Sequence, residues 1–227
     1  MKKSDRTSDK VEKKLIDEIL TGKLHAGSAL PPERELAKTF SVGRPTVREA
    51  LQRLERDGWI TARKGQPSIV NNYWSQGNLT MLVSIVQNQQ SVTDEFILYL
   101  LELRCSLTPT YIRDAVTGNQ AKVVALLAHL EDLKDDADTY AAFDWKLQKE
   151  FASLSPNPIY LLILNSFDSF YLPMATRYFS IEAHRKLSLQ YYNELLTIAL
   201  KGDSIEAEKI ARKVMERSLT LWKDRKD

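Results

Sequence analysis

Apolar residues near the start of the chain recur at helical spacing. Val11, Leu15, Ile16, Ile19 and Leu20 share one face, and Gly22 follows where a helix can end. Pro31-Pro32 is a loop signal. Proline followed by Glu33 suits a helix start, and Leu36, Ala37 and Phe40 mark the inward side of a short helix over 33–40. Ser41-Val42-Gly43 reads as a tight turn. Pro45 then opens a helix whose apolar face is Val47, Ala50, Leu51 and Leu54, with Arg48, Arg53 and Arg56 mostly off that face and Gly58 closing it. The β-rich runs 59–63 and 68–70 flank a turn containing Lys64 and Gly65, which predicts a hairpin. Residues 1–9 read as a polar tail. Helix, short helix, three-residue turn, helix and hairpin is the order of a winged helix-turn-helix.

A polar stretch, 71–77, separates this module from the rest. Met81, Leu82, Ile85 and Val86 predict a connecting helix, and after Ser91 the pattern is helical almost to the end. The spacing predicts helices over 93–116, 119–135, 138–154, 157–180, 182–201 and 204–224. No repeat of 20–50 residues appears. The expected fold is mostly α: a winged helix-turn-helix over 1–71, a linker over 72–90, and an all-helical bundle over 91–227 that binds an effector.

Composition adds to this picture in three places. Charge is uneven: residues 1–76 carry 15 Lys+Arg against 10 Asp+Glu, a net of +5, while 77–227 carry 17 against 20, a net of −3. A basic module joined to a mildly acidic one points to a polyanion as partner of the first. The single cysteine, Cys105, lies in the apolar run 96–107, reads as packing, and fits a reducing cytosol. No window approaches 18 uninterrupted apolar residues and the first ten residues lack the apolar stretch of a secretory signal. A cytoplasmic protein without membrane partners is expected.

The start of the helix after the turn carries the DNA chemistry. A recognition helix lies in the major groove with its first residues at the base edges. Those residues here are Gly43, Arg44, Pro45, Thr46, Val47 and Arg48. Arg44 and Arg48 are one turn apart, and a bidentate arginine–guanine pair is the commonest specific contact. Thr46 suits a phosphate or a thymine methyl. Arg34 opens the preceding helix beside the same groove. Lys64 and Gly65 form the hairpin tip, where glycine permits close backbone approach and lysine supplies a charge for the minor groove.

The helical part carries no catalytic spacing, which points to sensing and away from an enzyme. The three histidines, His25, His129 and His184, are not paired with one another or with cysteine at metal-ligand spacing. No glycine-rich phosphate loop or nucleophile elbow is present. The last helix has Ala207, Ile210, Ala211, Val214, Ser218, Leu221 and Trp222 on its inward face. Ser218 is a hydroxyl on an apolar stripe, either bonded back to its own helix or turned to a ligand. Tyr171, Tyr178, Phe179, Tyr191 and Tyr192 supply apolar bodies with polar tips, which suit a pocket for an apolar ligand with a polar head or an ordinary helical core.

Leu30-Pro-Pro-Glu-Arg-Glu-Leu-Ala, Val42-Gly-Arg-Pro-Thr-Val-Arg-Glu-Ala-Leu-Gln-Arg-Leu, Gly58 and Gly65 resemble the GntR family of bacterial repressors across residues 11–71. The resemblance implies a homodimer on double-stranded operator DNA, with Arg34, Arg44, Arg48, Lys64 and Gly65 as contacts. It also implies a metal-binding sensor built on one Asp and three His. The matching positions here are Asp144, Gln148, Asn193 and Ser218, and amides and hydroxyls replace imidazole poorly on a transition metal. The expectation is a metal-free sensor with no cofactor. Arg56-Asp-Gly-Trp-Ile-Thr, Gly65-Gln-Pro-Ser-Ile-Val-Asn-Asn-Tyr-Trp, Ser155-Pro-Asn-Pro-Ile-Tyr-Leu-Leu-Ile-Leu-Asn and Arg177-Tyr-Phe resemble the branch of that family that regulates fatty-acid metabolism. That branch implies long-chain acyl-CoA as effector, releasing the protein from DNA. By position it implies Arg104, Tyr178, Ser218 and Trp222 at the ligand, with Arg104 pairing a CoA phosphate. Met215, Glu216 and Arg217 depart from the branch's pattern. A small carboxylate or sugar acid, as sensed elsewhere in the family, is the alternative effector.

Overall fold

In a computed structural model, residues 6–63, 65–88 and 94–224 are described, and they divide into two compact units, 1–91 and 92–227. The first contains α1 (Thr7–Leu20), α2 (Glu33–Thr39), α3 (Arg44–Arg56), β1 (Ile60–Arg63), β2 (Gln66–Val70), α4 (Tyr73–Gln76) and α5 (Leu79–Asn88). The apolar spacing in α1 and α3 has the consequence expected of it. Val11, Leu15, Ile16 and Ile19 meet Val47, Ala50 and Leu54, with Leu36 and Trp59, in one core. Ser41, with φ 53°, makes the turn between α2 and α3. The strands β1 and β2 are antiparallel. A bridge from Ala29 to Ile69 adds a third edge, and the Leu30 N–H donates to the Ser68 carbonyl at 2.8 Å.

One expectation changes here. The polar tail is helical from Thr7, because Asp9 accepts the Arg6 backbone N–H at 2.9 Å and an Arg53 N–H at 2.5 Å, and Ser8 is buried. The span 72–90, expected to be a linker with a connecting helix, holds that helix as α5 with the short α4 before it, and buries Met81 and Ile85 in the first unit's core. Gly77 sits at the bend between these two helices. A Cβ there would lie 2.3 Å from the Tyr73 carbonyl oxygen and 2.9 Å from Met81 Sδ. Gly77→Ala is therefore expected to destabilise this unit by about 1–3 kcal/mol, the usual range for overpacking. A chemical-denaturation midpoint equal to that of the parent would contradict it.

The second unit contains α6 (Asp94–Leu127), a 3₁₀ turn (Leu130–Asp132), α7 (Ala137–Leu154), α8 (Ile159–Asn165), α9 (Tyr171–Phe179), α10 (Glu182–Lys201) and α11 (Ser204–Asp224). Helix α6 packs against α7, α10 and α11, and α7 packs against α9. The break predicted between 116 and 119 is a kink at Asn119 (φ −144°, ψ 38°), whose side chain donates to the Leu154 carbonyl. The single helix predicted over 157–180 is instead two. The chain leaves helix after Asn165, buries Phe167 and Phe170, and turns Asp168 to accept from Trp145 Nε1 at 3.0 Å and Lys149 Nζ at 2.9 Å. Among the described residues, no helix is long and apolar enough to cross a membrane.

Candidate functional site

The start of α3 presents the expected arginines to solvent. Arg44 is the first helical residue, Pro45 follows it, and Arg34 lies in the first turn of α2; both arginines are exposed. Thr46 is half-buried. Arg48 is exposed but held: its Nε and Nη2 donate to the two carboxylate oxygens of Glu33 at 3.1 and 2.8 Å. Arg53 and Arg56, further along, are neutralised within the domain. Arg53 pairs with Asp9, Glu12 and Glu49, and Arg56 forks onto Asp57. Gly65 is exposed at the hairpin tip with φ +72°, a conformation that disfavours any side chain. Lys64 lies outside the described residues.

The interior of the helical unit holds a polar cluster. Asp144, on α7, is 2% exposed. Its carboxylate takes the Arg104 guanidinium at 3.2 Å, the Tyr171 hydroxyl at 2.5 Å, the Tyr192 hydroxyl at 2.9 Å and the Gln148 amide at 3.3 Å. Gln148 in turn accepts from Tyr111, which is also paired with Thr108. Burial pushes the hydroxyls of Tyr111, Tyr171, Tyr191 and Tyr192 upward, so they stay protonated. The Tyr191 hydroxyl and Arg104 Nε are buried without a hydrogen-bond partner.

The residues expected at a ligand are brought together on one side of this cluster. Tyr178 stacks on His184 with ring centroids 4.1 Å apart and lies 5.9 Å from the ring of Trp222. His184 Nδ1 donates to the Tyr178 carbonyl at 2.7 Å, and burial lowers its pKa, keeping the ring neutral. Trp222 Nε1 donates to the Asp94 carbonyl at 3.1 Å, anchoring the end of α11 to the start of α6. Ser218 is buried beside the Tyr178 hydroxyl, which makes no hydrogen bond of normal geometry and whose pKa burial pushes up to about 12.

Two cavities, each of about 30 Å³, flank Arg104 and Tyr171. One is lined by Ile97, Leu101, Met174 and Tyr178, the other by Leu103, Leu107, Trp145 and Phe167; Leu100, Arg104 and Tyr171 line both. Pockets that hold small-molecule ligands measure roughly 300–1,000 Å³, so each of these is too small for one as it stands, with room for about one water molecule.

One sequence expectation is corrected by this geometry. Arg104 does not offer its fork to an outside phosphate: it is mostly buried and committed to Asp144. The positions matched to a metal site do not converge either. Asn193 is exposed and donates to the Leu189 carbonyl, and the oxygens of Asp144 are engaged by protein donors. These residues do not fit a divalent ion. Glu33, Tyr192 and Gln148 were not legible as partners, since nothing in their spacing shows which polar groups they meet.

Residues 7–70 match the family described as bacterial regulatory proteins, gntR family, and residues 71–227 match the FadR C-terminal domain. The chain belongs to the GntR family. Among its relatives, the fatty acid metabolism regulator protein of Shewanella pealeana is 37% identical over 216 residues, 95% of this chain and 90% of that protein. The protein of the same name from Haemophilus influenzae strain PittEE is 36% identical over 212 residues, 93% and 88%. One solved structure has the same fold at 17% identity and a TM-score of 0.63, covering 99% of this chain and 100% of that one. It is that of Lar, which controls expression of the Listeria monocytogenes agr system. GntR-family proteins with this C-terminal domain are transcription regulators, and the chain is not an enzyme.

Proposed function

We propose that this protein is a cytoplasmic, homodimeric transcription regulator of fatty-acid metabolism whose hold on operator DNA is relieved by long-chain acyl-CoA. Its winged helix-turn-helix spans about 1–71, and its effector-binding helices follow the segment 72–90. Arg34, Arg44, Thr46, Arg48, Lys64 and Gly65 meet DNA, and Arg104, Tyr178, Ser218 and Trp222 meet the ligand. The observation that carries the reading is the apolar cavity lined by Tyr178, whose ring lies 5.9 Å from that of Trp222, in a chain similar to proteins named fatty acid metabolism regulator.

The two cavities share a wall formed by Leu100, Arg104 and Tyr171. Moving these side chains joins them into a channel for an acyl chain. Arg104 then lines the channel, and the thioester end meets Tyr178 and Ser218. Because each cavity is far smaller than an acyl chain, the chain selects an opened arrangement of α6 and α9. A ligand shifts such an equilibrium only through its differential affinity for the two states.

Titration calorimetry tests the ligand class. Long-chain acyl-CoA is expected to bind in the presence of a chelator, while CoA and acetyl-CoA bind weakly. Binding of a small carboxylate or sugar acid, with none of acyl-CoA, would replace this reading with the other sensor chemistry of the family. Tyr178→Phe separates stability from binding. The hydroxyl is buried with no normal hydrogen bond, so its loss is expected to leave thermal stability equal or raised by up to about 1 kcal/mol. Acyl-CoA affinity is expected to fall by about 0.5–1.5 kcal/mol, the net worth of one hydrogen bond. Unchanged affinity would remove Tyr178 from the ligand's polar contacts.

A further inference from the structure

Glu33 places a carboxylate on the edge of the first unit that we read as facing DNA. A negative charge there opposes binding to a polyanion. Glu33 opens α2, and its side chain is 35% exposed, while that of Arg48 is 61% exposed. Its oxygens take two hydrogen bonds from Arg48, at 3.1 Å from Nε and 2.8 Å from Nη2. The bond from Arg48 holds the Glu33 carboxyl below the ordinary carboxylate range, and the nearby charge of Arg44 adds to this. The carboxylate therefore stands among the arginines expected to read the operator.

A guanidinium carries five N–H donors in a fixed plane. Glu33 uses the Nε–H and one N–H of Nη2, which form one edge. The other edge, formed by Nη1 and the second N–H of Nη2, is left over. That edge is the fork that matches the O6 and N7 of guanine, or two phosphate oxygens. An exposed ion pair adds little to stability. Holding a long, rotamer-rich side chain in one pose lowers the entropy lost on binding, which is preorganisation.

We propose that Glu33 is a positioning residue for operator recognition: it clamps the inner edge of Arg48 so that the outer edge is presented to the DNA. The clamp trades general DNA affinity for selectivity. The proposal rests on the reading that the start of α3 meets DNA.

The test compares Glu33→Ala, Glu33→Gln, Arg48→Ala and the double variant Glu33→Ala/Arg48→Ala. The probes are an operator duplex selected from a random-sequence library with this protein and a scrambled duplex of the same length. Binding is read by fluorescence anisotropy at two salt concentrations. Glu33→Ala is expected to bind the scrambled duplex as tightly as the parent or more tightly, yet the operator about tenfold more weakly, roughly what one specific base contact supplies. Glu33→Gln, which keeps one acceptor, falls between. In the Arg48→Ala background, Glu33→Ala causes no further loss of operator binding. Tighter or unchanged operator binding by Glu33→Ala, with Arg48→Ala weakened, overturns the clamp. A loss of operator binding by Glu33→Ala that persists without Arg48 overturns it too, in favour of direct base reading by the carboxylate. Unchanged binding by Arg48→Ala overturns the underlying reading of α3, and the clamp with it.

Discussion

Asp144→Ala is expected to destabilise the helical unit by about 3–5 kcal/mol, the usual consequence of leaving one member of a buried ion pair alone. The Arg104 guanidinium would remain with no carboxylate, and arginine does not shed its proton to escape. The hydroxyls of Tyr171 and Tyr192 and the amide of Gln148 would lose their acceptor in the same step. The double variant Asp144→Leu/Arg104→Met provides the comparison. It removes both charges and fills the space with apolar atoms, so it is expected to be more stable than Asp144→Ala alone. Urea denaturation followed by circular dichroism reads both. A parent-like midpoint for Asp144→Ala would mean that the carboxylate is not the hub of this cluster.

Arg44→Ala is expected to weaken operator binding by about 1–3 kcal/mol and to relax base preference at one position of each half-site. Unlike Arg48, Arg53 and Arg56, Arg44 makes no hydrogen-bonded ion pair among the described residues, and it lies exposed at the first position of α3. Its fork is therefore available without breaking an internal contact. Loss of a phosphate contact alone would give a different signature: a fall that is equal across sequences and a salt slope reduced by about one. Binding of a base-substituted operator series by the variant separates the two. Equal binding by parent and variant would remove Arg44 from the interface.

The parts legible in the sequence are those written in periodicity and in local chain geometry. The stripes Val11–Leu20 and Val47–Leu54 find each other in the core, and Gly65 takes the left-handed conformation expected of a hairpin tip. The inward face of α11 is likewise seen in Ala207, Ala211, Val214, Ser218 and Trp222, all buried. Long-range polar pairing was not legible. Asp144 stood out only as a leftover metal position, and three of its four partners come from α6, α9 and α10, 27 to 48 residues away. Arg104 looked like a phosphate clamp because guanidinium chemistry is the same whether the partner is a ligand or a buried aspartate. The break between α8 and α9 was hidden because Phe167 and Phe170 keep apolar spacing through it.

The coupling of the two units' tasks is the central claim, and one titration addresses it. A preformed complex of the protein with its selected operator is titrated with long-chain acyl-CoA, and the DNA-bound fraction is followed by anisotropy. Release at micromolar ligand is predicted, with no release by CoA or by acetyl-CoA. A DNA-bound fraction that stays constant to saturating long-chain acyl-CoA would contradict the account.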